Sequence, residues 1–91
     1  MKIYEFRSDI NRVEDSSEPW LTVETELFLS KSKAIEFMVK EALEYEKAYS
    51  SANFYRKVKD YPKDSEVIEL ESSRDSDVYG LFSVTEREIN E

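Results

Sequence analysis

The sequence predicts an α+β domain: a four-stranded antiparallel sheet in the order ββαββ, with one main helix packed on one face. Three observations predict it. Only residues 30–49 set apolar side chains at steps of three and four over several turns, the spacing that puts them on one face of a helix. The segments before and after alternate with period two, as strands do. The chain has 91 residues, enough for a single domain spanning residues 1–91 with one modest core, so the helix has only that sheet to cover.

Residues 2–7 set Tyr4 and Phe6 against Ile3, Glu5 and Arg7 and predict a first strand. Residues 8–19 carry Asp9, Asn11, Glu14, Asp15, Ser16, Ser17 and Glu18 and end at Pro19, which predicts a long hairpin loop. Residues 20–29 alternate most cleanly. Leu21, Val23, Thr25, Leu27 and Leu29 form the more apolar face, expected in the core, and Trp20, Thr22, Glu24, Glu26 and Phe28 form the other.

Ser30 follows directly, and its hydroxyl is expected to cap the helix by accepting a first-turn backbone N–H, with Ser32 as competitor. Ile35, Met38, Val39, Ala42, Tyr45 and Tyr49 form the apolar stripe. Beyond Tyr49, Ser50, Ser51 and Asn53 lower helix propensity. A short turn or bent extension through Phe54, Tyr55 and Val58 should follow, ended near Pro62. Residues 66–71 set Ile68 and Leu70 against Val67, Glu69 and Glu71, a third strand. Residues 72–77 are the second hairpin loop. Residues 78–89 form the last strand, with Val78, Phe82 and Val84 on one face and Tyr79, Leu81, Thr85, Arg87 and Ile89 on the other. Gly80 inside it marks a bulge or a close backbone approach. The pattern leaves open how the two hairpins pair.

Composition removes several function classes. With no histidine and no cysteine, the imidazole and thiolate ligands of most zinc sites, the usual general base and the cysteine nucleophile are missing. A single glycine leaves no Gly-rich phosphate loop. Carboxylate chemistry remains, yet neither Asp75 with Asp77 nor Glu69 with Glu71 has the spacing and turn glycine of a calcium loop. The expectation is a protein that is not an enzyme and has no catalytic residue, metal or cofactor. No apolar run reaches eighteen residues and the N-terminus lacks a continuous apolar stretch, so the chain is expected to be cytoplasmic, without membrane contact.

The net charge of −8 is unevenly placed. Residues 1–30 sum to −4, residues 31–63 to +3 and residues 64–91 to −7. With the expected facing, Glu24, Glu26, Glu69 and Glu71 form an acidic plate on the uncovered side of the sheet, with Trp20, Phe28, Tyr79 and Leu81 as apolar anchors among them. Such a plate is a solvated sheet face, a surface for a basic partner, or a carboxylate site for metal or catalysis. Tyr45, Tyr49, Phe54 and Tyr55 beside Arg56, Lys57 and Lys59 suggest single-stranded nucleic acid only superficially. Tyrosines along a helix are usually core edges, and an acidic whole repels nucleic acid.

The strand running into Phe28-Leu29-Ser30-Lys31-Ser32-Lys33-Ala34-Ile35-Glu36-Phe37, with a final hairpin strand Val78-Tyr79-Gly80-Leu81-Phe82-Ser83-Val84-Thr85, resembles small acidic accessory proteins of phages and mobile elements. The likeness is one of size, charge and element order. Certain anti-CRISPR proteins are of this sort. The resemblance implies an inhibitor or modulator that binds a host defence protein. Joined to the charge, it points to a noncatalytic protein that occludes a basic, nucleic-acid-binding surface of a host protein, as a DNA mimic does, without binding nucleic acid itself. The alternative is a structural or assembly subunit, in which the basic helical segment of one copy meets the acidic hairpins of another, for instance in a homodimer.

Overall fold

Strand β1 (Lys2–Arg12) takes in the first part of the stretch expected to be a loop. The computed structural model describes residues 1–12, 20–74 and 78–89, the side chains of residues 12 and 20–22 excepted. Ser8 and Ile10 continue the inward series of Tyr4 and Phe6, and both are buried. Position overrides composition here. β1 is a central strand in which Asp9 pairs on both sides, with Val23 and Leu81, and Asn11 continues the pairing with Leu21 of β2, and that pairing outweighs their poor strand preference. Residues 13–19 of the expected loop, and 75–77 of the second, lie outside the described residues.

Strand β2 (Trp20–Phe28) returns along β1, and helix α1 (Lys31–Ala48) follows. Two 3₁₀ turns, Ser50–Ala52 and Val58–Asp60, lead to strands β3 (Val67–Glu71) and β4 (Tyr79–Glu88). The sheet order is β2-β1-β4-β3, antiparallel throughout, so the hairpins join through β1 and β4. This is the expected α+β architecture of four antiparallel strands and one main helix.

Ser30 starts the helix. Its Oγ accepts from the Lys33 backbone N–H at 3.4 Å, and the Ser32 hydroxyl lies within hydrogen-bond distance of it, at 2.9 Å. Ser30→Ala is expected to cost about 0.5–1 kcal/mol, read from a urea midpoint. Ala34, Ile35, Met38, Ala42 and Tyr45 are the buried stripe, with Phe37, Val39 and Tyr49 at its margin. They meet Phe6, Ile10, Ile68, Leu70, Val78, Phe82 and Val84 from the sheet. Ala52, Phe54 and Val58 join the same core, while Tyr55 is exposed.

Gly80 pairs in continuous register with Ile10 and Leu70, so there is no bulge. The close approach is real: a Cβ there would sit 2.9 Å from the Phe82 ring and 3.1 Å from the Tyr45 ring. Gly80→Ala forces rings in a packed layer to move and is expected to cost about 1–3 kcal/mol by chemical denaturation.

The facing of β2 is the reverse of the one expected. Cross-strand partners share a face. Tyr4 stands opposite Phe28, Phe6 opposite Glu26 and Ser8 opposite Glu24, so those β2 residues are on the helix side with the buried Phe6 and Ser8. Phe28 packs against Phe37 with ring centroids 5.2 Å apart, and Phe37 meets Phe6 edge-on at 5.0 Å. Val23 and Leu27 lie on the open side, opposite Asp9 and Glu5, and are 47% and 61% exposed. Leu29 is 74% exposed. The rule that sends the more apolar face inward assumes a strand beneath the helix. β2 is an edge strand at the margin of the helix, where one aromatic reaching Phe37 secures the register and there is little core for Val23 and Leu27 to enter.

Candidate functional site

Because Glu24 and Glu26 turn to the helix side, their charges act on a carboxylate of α1, that of Glu41. Glu41 and Glu44, three residues apart, fall on the flank of the helix that overlooks β2. Glu24, Glu41 and Glu44 line a cavity of about 320 Å³ between strands β1 and β2 and the C-terminal half of α1, and Glu26, outside that lining, acts on Glu41 only through its charge. Tyr45, Tyr49 and Phe82 supply its rings, with Tyr45 4.8 Å from Tyr49 and 5.9 Å from Phe82 between centroids. Ser8 lines it from β1.

Among the described residues, none of these four carboxylates forms an ion pair within 4.0 Å. Glu41 shows the consequence. Its carboxyl is held above the ordinary carboxylate range, first by burial, then by the charges of Glu44 and Glu24 and more weakly Glu26, with Lys40 opposing. A carboxyl whose folded pKa is raised favours the folded state below its unfolded pKa. That contribution is lost as pH rises through the ordinary range to the folded value. Glu41→Gln is therefore expected to raise the melting temperature at neutral pH and to leave it unchanged in acid, where the carboxyl is already protonated.

Ser8 is the second unusual group. It is only 3% exposed, and none of the side-chain hydrogen bonds of the described residues includes its hydroxyl. No fully enclosed side-chain polar atom of the described residues is left unpaired, so this hydroxyl is open to the cavity and not sealed in the core.

The open face is different in kind. Glu69, Glu71, Tyr79 and Leu81 are brought together there, on β3 and β4, but its acids are largely engaged. Tyr79 Oη donates to Glu69 Oε2 at 2.8 Å, Arg87 pairs with Glu5 at 3.0 Å, and Arg7 with Asp9 at 3.0 Å. Burial, then the hydrogen bond to Glu69 and the charges of Glu69, Glu71 and Asp9, push the Tyr79 phenol up to about 12. The single plate expected from Glu24, Glu26, Glu69 and Glu71 is thus two surfaces on opposite sides of the sheet. Phe28, expected as an open-face anchor, is partly buried against Phe37. The Trp20 side chain lies outside the described ones.

Glu41, Glu44 and Ser8 were not singled out from sequence. The signal was present, since Glu41, Glu44 and Ala48 follow helical steps beside the apolar stripe, and Ser8 is the small polar member of the series Tyr4, Phe6, Ile10. A larger depression, about 610 Å³, lies between α1 and the Val58–Asp60 turn, lined by Ile35, Val39, Leu43, Val58 and Pro62 with Lys59 and Lys63. It is mainly aliphatic, and its polar members, Ser32, Glu36 and Tyr61 beside the two lysines, are of mixed charge. Among the described residues no group of three or more acidic side chains is placed to hold a metal ion, and no helix is long and apolar enough to cross a membrane. Set against protein-family models, curated proteins and solved structures, the chain matches none of them.

Proposed function

We propose that the chain is a noncatalytic binding protein that inhibits or modulates another protein, of the host, by covering a basic surface on it, with β2 and the overlooking flank of α1 as its contact face. The observation that carries this is that Glu24, Glu26, Glu41 and Glu44 lie on the helix side of the sheet with no ion-pair partner among the described residues, while several acids of the open face are already paired. Burial and then the charges of Glu44, Glu24 and Glu26 disfavour the ionised Glu41 carboxyl, and a basic surface offsets the charge part of that cost on binding. The same charges speed and orient encounter. Tyr45 and Tyr49 at the cavity supply ring surface for contact behind the charged rim. A protein surface that binds nucleic acid has the matching charge.

The test is capture from the host's lysate on the immobilised protein, beside a variant with all four glutamates changed to lysine. A basic protein retained at low salt, released at roughly 0.5 M salt and not retained by the variant supports the reading. Retention by the variant overturns it.

One observation favours assembly with copies of itself. β2 is a sheet edge, and Val23 and Leu27 are exposed along it, a pattern that invites another strand. Light scattering decides. A mass that rises with concentration and falls back in Leu27→Lys supports assembly, and a constant monomer mass removes it.

A further inference from the structure

The cavity at the centre of the acidic face has the chemistry of a socket for one cation. Its rim is carboxylate, from Glu24, Glu41 and Glu44, and its walls include the rings of Tyr45, Tyr49 and Phe82. Aromatic faces attract a cation through their negative quadrupole. The C-terminal half of α1 lines one side, and the carbonyl end of a helix carries partial negative charge. Within lies the hydroxyl of Ser8, buried and without a protein partner among the described residues. A hydroxyl oxygen accepts readily from a charged N–H.

Resting on the binding function proposed above, we infer that this cavity receives the side-chain ammonium of one lysine of the basic partner. The alkyl stem lies along the rings, the ammonium donates to Ser8 Oγ, and the carboxylates of Glu24, Glu41 and Glu44 at the mouth attract its charge. A volume of about 320 Å³ accommodates that side chain. Lysine fits better than arginine. A guanidinium presents five donors in a flat fork suited to bidentate carboxylates, whereas this cavity offers a single buried hydroxyl with carboxylates around its mouth, which matches a compact ammonium.

The test is a titration of isotopically labelled full-length protein with Nα-acetyl-lysine methylamide, followed by NMR, with the Nε-acetylated compound as the uncharged control. Saturable shifts centred on Ser8, Glu41 and Ala48, absent with the control, are expected. Ser8→Val removes the acceptor, and Ala48→Phe, at an exposed helix position, plugs the cavity without entering the core. Each is expected to weaken the probe by about tenfold with the melting temperature little changed. Shifts spread equally over Glu66, Glu71 and Glu86, or binding unaffected by both variants, would overturn the inference. So would spermidine binding far more tightly than the lysine probe and failing to compete with the captured protein, since that assigns the cavity to a free polyamine. The two readings fail separately. If reversing the four glutamates abolishes capture but Ser8→Val and Ala48→Phe do not weaken it, the acidic face stands and the lysine socket falls. If the lysine probe binds as expected while the reversed variant still captures the protein, the cavity binds an ammonium but the acidic-face function falls, and with it the assignment of the cavity to a lysine of the partner.

Discussion

Phe82→Ala is expected to cost about 3–5 kcal/mol, a large part of the roughly 5–15 kcal/mol that holds a small domain folded. Phe82 is 2% exposed, sits on a central strand between Ser8 and Ile68 in the register, and packs against Tyr45 under the helix. Its removal opens a void that touches both layers. The informative comparison is Leu27→Ala. If the more apolar face of β2 were inside, this change would also cost about 2–5 kcal/mol. On an open face at 61% exposure it is expected to change stability by about 0.5 kcal/mol or less. Urea denaturation of the two variants measures both, and a large loss in Leu27→Ala would contradict the facing of β2.

Reversing Glu24, Glu26, Glu41 and Glu44 to lysine is expected to weaken binding to a basic partner by roughly a hundredfold at low salt. Exposed charge pairs are worth about 0.2–1 kcal/mol each, and reversal replaces attraction with repulsion at four places. The loss should shrink as salt rises, because screening acts on both terms. Relieving the pressure on Glu41 favours the folded state at neutral pH, so Glu41→Lys alone is expected to lower affinity while raising the melting temperature. A loss of binding accompanied by a loss of stability would instead indicate that these carboxylates hold the fold together.

Most of the fold was legible because its central part obeys simple periods. The stripe of Ile35, Met38, Ala42 and Tyr45, the alternation of Ile68 and Leu70, and the burial of Val78, Phe82 and Val84 all stand as read. Gly80 marked a close approach to Tyr45 and Phe82. Two features were not legible, for one reason. Whether residues 8–10 extend as strand depends on β1 having neighbours on both sides, with residues 11 and 12 carried on by β2 alone, and which face of β2 turns inward depends on β2 being an edge. Strand order sets both, and it is not written in the alternation of any one strand. The candidate site inherits this. Glu24 and Glu26 were singled out for their charge, but their company is Glu41 and Glu44 across the helix–sheet gap, and not Glu69 and Glu71.

That separation gives the most direct test of the central claim, that the acidic face on the helix side binds a basic partner. The affinity of the captured protein should be measured for two variants, one with Glu24, Glu26, Glu41 and Glu44 changed to lysine and the other with Glu69 and Glu71 changed to lysine. Loss of binding in the first, with the second within roughly twofold of the unaltered protein, is the expected result. Binding kept by the first and lost by the second would move the contact surface to the open face of the sheet and contradict the account.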